Sequence, residues 1–160
     1  MTIDQYLSWF DEVIRPTEPM FRLVPDSKLD WRLTPTSFSL GQLISHMPRA
    51  LWFNARVVDQ AGIPLKSIRE ILIANRRQPS SSVDDAVTSL YGSVTDFREA
   101  VTRLGNDRFQ SAMLETRQRG PTLAWRHCLF TVEHHIHHLM ELHIGLKSLG
   151  VNVNTRTLYS

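Results

Sequence analysis

The sequence predicts an all-α fold, a four-helix bundle, on three observations. Apolar residues recur at three- and four-residue spacings over four substantial stretches, no segment alternates convincingly as a strand would, and there is no internal repeat or low-complexity tract. With 160 residues and 42% hydrophobic content, the chain is long enough to bury a core, and one domain over residues 1–160 is expected.

The first helix starts at once. Thr2 and Gln5 form a capping-box pattern, and Ile3, Leu7, Phe10 and Ile14 then keep helical spacing up to Pro16, which with Pro19 must kink or interrupt the helix. A turn-rich connection, "PDSKLDWRLTPTSF", leads to Ser39, the expected N-cap of a second helix running to Gly62. Pro48 lies inside this helix and removes the amide that would bond the Ile44 carbonyl, so the helix must bend there or begin later.

Ser67 and Glu70 are spaced to cap a short helix through Ala74, and "QPSSS" is a clear break. Val83, Val87, Leu90, Val94, Phe97, Val101 and Leu104 then repeat at alternating intervals of four and three, the seam of a third long helix expected to stop at Gly105. Residues 106–120 show no strong period. Gly120 and Pro121 are expected to introduce the last long helix, which ends at Gly150.

Composition excludes several classes. No apolar run approaches the roughly 18 residues of a membrane span. The N-terminal "MTIDQYLSWFDE" is acidic where a signal peptide is basic, so a cytoplasmic protein with no membrane partner is expected. The net charge is only +2, and apart from "NRRQ" and "RQRG" the basic residues are scattered, which leaves no phosphate-tracking stripe and no expectation of nucleic acid. One cysteine, Cys128, allows neither an internal disulfide nor a Cys-pair zinc motif; it reads as a buried apolar residue. Any metal must therefore rest on His, Asp and Glu.

The last helix supplies such residues in "TVEHHIHHLMELHIGLKSLG". At about 100° per residue, His127, His134, His138, Glu141 and Gly145 share one stripe about 60° wide, whereas His135 and His137 lie to either side and His143 points away. His134 and His138 form an i, i+4 pair whose Cβ atoms lie about 5–6 Å apart, near enough for both imidazoles to reach one divalent ion. A third ligand should come from a facing helix, and His46, bordering the inward face of the second helix, is the candidate.

The zincin signature is absent, since His135 stands where its glutamate belongs, and no Glu-x-x-His pair supports a di-iron site. Three neutral imidazoles and an open position remain, an arrangement suited to hydrolysis or to activating a thiol. Glu141 reads equally as solvated charge, as a partner orienting a ligand, or as the group that moves a proton. His127 reads as a structural or pocket-floor residue ahead of a fourth ligand, His137 is expected to pair with Glu133, Trp52 and Trp125 read first as core and rim and next as pocket lining, and Gly145 is expected to leave room for substrate.

These residues resemble the DinB/YfiT-like superfamily of metalloenzymes. Its last helix carries His-x-x-His-His-Arg-Gly-Gln-Leu, then Tyr-Leu-Arg, two residues and Gly. Here His134, His137 and His138 fall on its histidines, Leu142 on its leucine, Leu146 and Lys147 on Leu-Arg, and Gly150 on the terminal glycine. The stretch "FSLGQLISHMPRALWF" is similar to the segment that supplies the family's first ligand. The departures are Leu139, Met140 and Glu141 in place of Arg-Gly-Gln, and Gly145 in place of tyrosine.

The resemblance implies a divalent metal, zinc or nickel, held by His46, His134 and His138 at one end of the bundle. It also implies kinship with transferases that use low-molecular-weight thiols such as bacillithiol, mycothiol or glutathione, and a homodimer. The rival expectation is a non-catalytic bundle in which metal only fastens two helices and the protein acts by binding a partner.

Overall fold

In the computed structural model, residues 1–59, 80–116 and 120–159 are described. Among them the chain is mostly helical: α1 (Ile3–Ile14), α2 (Thr17–Arg22), α3 (Leu40–Asp59), α4 (Val83–Ser111) and α5 (Ala124–Ser148). A hairpin of β1 (Met113–Thr116) and β2 (Gly120–Leu123) links the last two, and 3-10 turns lie at Asp26–Lys28 and Thr155–Leu158. The short helix expected around Ser67–Ala74, and the expected end of the second helix at Gly62, lie outside the described residues.

The N-terminal cap forms as the sequence predicts. Thr2 Oγ1 accepts from the Gln5 amide at 3.3 Å, and Gln5 Oε1 accepts from the Thr2 amide at 2.9 Å, satisfying two otherwise unpaired donors. Pro16 separates α1 from α2, and Pro19 falls within the first turn of α2, where amides have no partner inside the helix.

Ser39 and Gln42 cap α3 in the same reciprocal way, at 3.2 and 3.1 Å. The choice left open by Pro48 is therefore decided: the helix starts at Leu40 and runs on through the proline, whose ring is buried. Burial of the surrounding α3 face, including Ile44, Met47 and Leu51, offsets the lost ladder bond.

Two expectations are corrected beyond residue 104. Gly105 adopts φ 70° and ψ 156°, so it breaks the ladder, yet the chain resumes a helical course to Ser111. The extension buries Phe109, whose ring lies 5.6 Å from that of Tyr6. The segment without a strong period then forms the hairpin, with Met113 opposite Leu123 and Thr116 opposite Gly120. Gly120, at φ 63°, and Pro121 belong to β2, and the last helix begins only at Ala124. Four-residue strands are too short for an alternating pattern to stand out in sequence, although Leu114 and Thr116 do alternate inward.

The core gathers residues from α1, α3, α4 and α5. Phe97 and Phe10 meet at 5.1 Å and Phe10 and Tyr6 at 6.3 Å, all three fully buried. Tyr6 keeps its hydroxyl satisfied by donating to the Cys128 carbonyl at 2.8 Å, which ties α1 to α5. Cys128 is buried, and burial pushes its thiol up to about 12, so it is the inert residue expected.

The connection before α3 positions one further aromatic ring. Leu40 and Gly41 donate backbone hydrogen bonds to Trp31 and Leu29 at 3.0 and 2.8 Å, and Arg32 Nη1 donates to the Ser37 carbonyl at 2.8 Å. Folded onto the start of α3 in this way, the loop carries Phe38 to the histidines of α3 and α5.

Candidate metal centre

His46 on α3 and His134 and His138 on α5 converge, each offering one ring nitrogen within 4.8 Å of the others. Ring centroids are 4.6 Å apart for His134 and His138, 4.7 Å for His46 and His138, and 5.4 Å for His46 and His134. The rings meet edge to face, at 68° to 83°, so their nitrogens aim at a common region instead of stacking. Phe38 closes one side, stacked on His46 at 5.0 Å and tilted 6.1 Å from His138.

Electrostatics keep His46 and His134 neutral. Burial, then the neighbouring His138, His134 and Arg49 charges, depress His46 to about 3; burial, then His138 and His137, depress His134 to about 4. At neutral pH both rings therefore present lone pairs. The Nδ1 of His46 is buried with no hydrogen-bond partner, a cost normally avoided unless a ligand satisfies the ring.

The separation of His134 Nε2 and His138 Nε2, 3.2 Å, is a direct test of fit. Two nitrogens each bonded at 2.0–2.1 Å to one tetrahedral ion stand about 3.3 Å apart. The donor set, the spacing and the neutral charge state all suit a borderline divalent ion. Among the described residues no fourth His, Cys, Asp or Glu joins the three.

Glu141 packs against one of the three histidines. Its Oε2 lies 3.0 Å from His138 Nδ1, on the side of the ring remote from Nε2. Accepting from Nδ1–H sets the tautomer that leaves Nε2 as the lone-pair atom, so Glu141 orients His138 and is turned away from the histidine cluster.

Other expectations are also redistributed. Gly145 is buried, and a Cβ there would lie 3.1 Å from Leu40 Cδ2 and 3.5 Å from the Trp31 ring; the volume expected for substrate is filled by those side chains. His127 is buried near the start of α5, 6.4 Å from the Phe130 ring, and stands outside the three-histidine group. Trp52 lines a separate cleft between α3 and α4, with Arg56 5.5 Å from its ring centroid. Trp125 borders a cleft with Met1, Gln110 and Leu129, also away from the histidines. Glu133 pairs with Arg126 at 2.8 Å, and His137 is exposed.

Sequence reasoning missed two contributors. Phe38 sits in an irregular loop where no period marks it. His135 is fully buried and its Nε2 lies 2.8 Å from Thr17 Oγ1, which locks α5 to α2 directly beneath His134. Burial, then His134 and His138, depress its pKa to about 3, so it is a neutral structural imidazole. Only its place in the histidine run hinted at a role.

Fold and site together define a helical protein with a three-histidine cluster of metal-binding type. The chain belongs to the DinB superfamily, whose model matches residues 10–142. No curated protein matches the chain. Among solved structures it is similar to a DinB-like protein from Bacillus cereus (17% identity, 96% of each chain, TM-score 0.72). A DinB-like protein from Bacillus subtilis is similar too, at 14% identity over 91% of this chain and 92% of that one, with TM-score 0.68. A candidate DinB family member from Exiguobacterium sibiricum matches at 18% identity over 97% and 94%, with TM-score 0.70. At these identities the likeness is one of fold.

Proposed function

We propose that this chain is a metal-dependent enzyme of the DinB superfamily that transfers a low-molecular-weight thiol, of bacillithiol or glutathione type, to a small electrophile. The observation that carries the reading is the convergence of His46, His134 and His138 with no fourth side-chain ligand among the described residues. A structural site closes with four protein ligands, whereas a catalytic one keeps a position free.

His46, His134 and His138 would hold zinc or nickel. Bound there, the ion would supply Lewis acidity that makes an adjacent thiol or water a better nucleophile. Glu141 holds the His138 tautomer, Thr17 and His135 fix the helix beneath, and Phe38 excludes water from one side. Metal-assisted hydrolysis uses the same residues and remains the second reading, favoured where water in place of thiol reaches the open position.

The frame we propose is a four-helix bundle of DinB/YfiT-like type formed by α1, α3, α4 and α5, a single domain over residues 1–160 acting in the cytoplasm. Among the described residues no helix is long and apolar enough to cross a membrane. We propose in addition that it acts as a homodimer. Ile136, Met140 and Ile144 recur at i, i+4, i+8 on the outer face of α5, each more than a third exposed, with Trp9 beside the first two.

The test is to load the protein with cobalt, record its spectrum with and without bacillithiol, glutathione and cysteine, and then assay a panel of electrophiles. A thiol-dependent shift of the cobalt bands with turnover is expected. No shift with any thiol and no turnover would leave a structural metal in a partner-binding bundle.

A further inference from the structure

We propose that the cleft between α3 and α4 is a binding site for a small oxyanion, a carboxylate or a phosphate, separate from the histidine cluster. Ser45, Arg49 and Trp52, at i, i+4 and i+7 on α3, form one wall, and Ala86, Ser89 and Ser93, at i, i+3 and i+7 on α4, form the other. Ser81 closes the end. The cavity measures about 200 Å³, room for several waters or one small acid.

The donors in this cleft are not spent on the protein. Among the described residues Arg49, Ser45, Ser81 and Ser89 have no side-chain hydrogen bond, and Arg49, only half-exposed, has no ion-pair partner. Ser93 is buried and donates to the Ser89 carbonyl at 2.8 Å, which leaves its oxygen as an acceptor. One guanidinium and three free hydroxyls converge with no carboxylate among the described lining residues. The two acids in the first turn of α4 are otherwise engaged: Asp85 accepts from the Ser82 hydroxyl at 2.7 Å, and Asp84 faces Arg22 at 3.5 Å. A planar fork and hydroxyl donors are the groups that recognise an oxyanion, and neither a cation nor an apolar molecule would satisfy them.

The backbone is built to hold Ser81 there. Its amide donates to the Gly41 carbonyl at 3.2 Å, and a Cβ on Gly41 would lie 2.7 Å from the Ser80 Cβ, so only glycine lets the chain press against the first turn of α3. Trp52 then supplies an apolar wall for the non-ionic part of the ligand.

Calorimetric titration of the purified protein with inorganic phosphate and, in a second arm, with malonate identifies which oxyanion class binds. Saturable binding of at least one is expected, weakened at least tenfold by Arg49→Met and only partly by Arg49→Lys. It should persist in His138→Ala and after chelator treatment, so a failed metal reading would leave it intact. Circular dichroism confirms that each variant is folded, and Ser81→Ala serves as the milder substitution. Two outcomes overturn the proposal: no saturable binding with a dissociation constant below about 10 mM, or binding that Arg49→Met and Ser81→Ala leave unchanged.

Discussion

His134 and His138 face one another Nε2 to Nε2 at 3.2 Å, one turn apart on α5, with His46 of α3 edge-on to both. The pair is held from behind by Glu141 on His138 Nδ1 and from below by His135 on Thr17. If this arrangement is a ligand set, its members are interdependent. Elemental analysis of untagged protein should find about one divalent ion per chain, and His46→Ala and His138→Ala should each abolish stoichiometric retention. Full retention on His46→Ala alone would show that α3 supplies no ligand.

Glu141→Gln should preserve the helical content and weaken metal affinity about 10–100-fold, the usual effect of removing an outer partner of a ligating histidine. The readout is competition with a chromophoric chelator. An unchanged affinity combined with lost turnover would instead mark Glu141 as the group that moves a proton.

The neutral imidazoles make the metal-free protein sensitive to acid. His46, His134 and His135 are depressed from 6.5 to about 3, 4 and 3, so between those values the unfolded chain binds protons that the folded one refuses. Their stabilising contribution is complete above pH 6.5 and declines as pH falls toward 4, by up to about 1.4 kcal/mol per pH unit for each group. Denaturant unfolding of chelator-treated protein at pH 7 and pH 5 should show a clearly lower midpoint at pH 5. Thr17→Val should leave His135 less well held and lower the midpoint at both values.

Phe97 is fully buried against Phe10, and Leu90 lies one repeat earlier on the same seam. Phe97→Asp or Leu90→Asp should abolish folding, because an unpaired charge in the core costs more than the whole stability of a small domain. Phe97→Ala should lose about 3–5 kcal/mol. Circular dichroism and thermal unfolding read both.

The exposed stripe of Ile136, Met140 and Ile144 is the expected contact of a homodimer. Light scattering should give twice the chain mass, and Met140→Glu should shift the species toward monomer without altering helicity. A monomeric native protein would remove the association.

Much of the fold was legible because helical periodicity and capping are local. The Thr2–Gln5 box, the Ser39 cap and the seam from Val83 to Leu104 depend on residues within one or two turns. The hairpin at 113–123 was not legible, because four-residue strands are stabilised by pairing across a turn and leave little local pattern. Gly105 was read correctly as a break and wrongly as an end, since the helical course beyond it pays off only through the burial of Phe109 against Tyr6.

The sequence by itself determined the histidine stripe and its candidate partner: i, i+4 spacing places His134 and His138 on one face whatever surrounds the helix, and the inward position of His46 left it the one plausible third donor. Tertiary structure alone decided what the flanking residues do. Helical angle puts Glu141 and Gly145 on that same stripe, but a side chain's role depends on what packs beside it. Glu141 turns to His138 Nδ1, while Leu40 and Trp31, distant in sequence, fill the space above Gly145. Spacing is a property of one helix, and a pocket is a property of the elements that close around it.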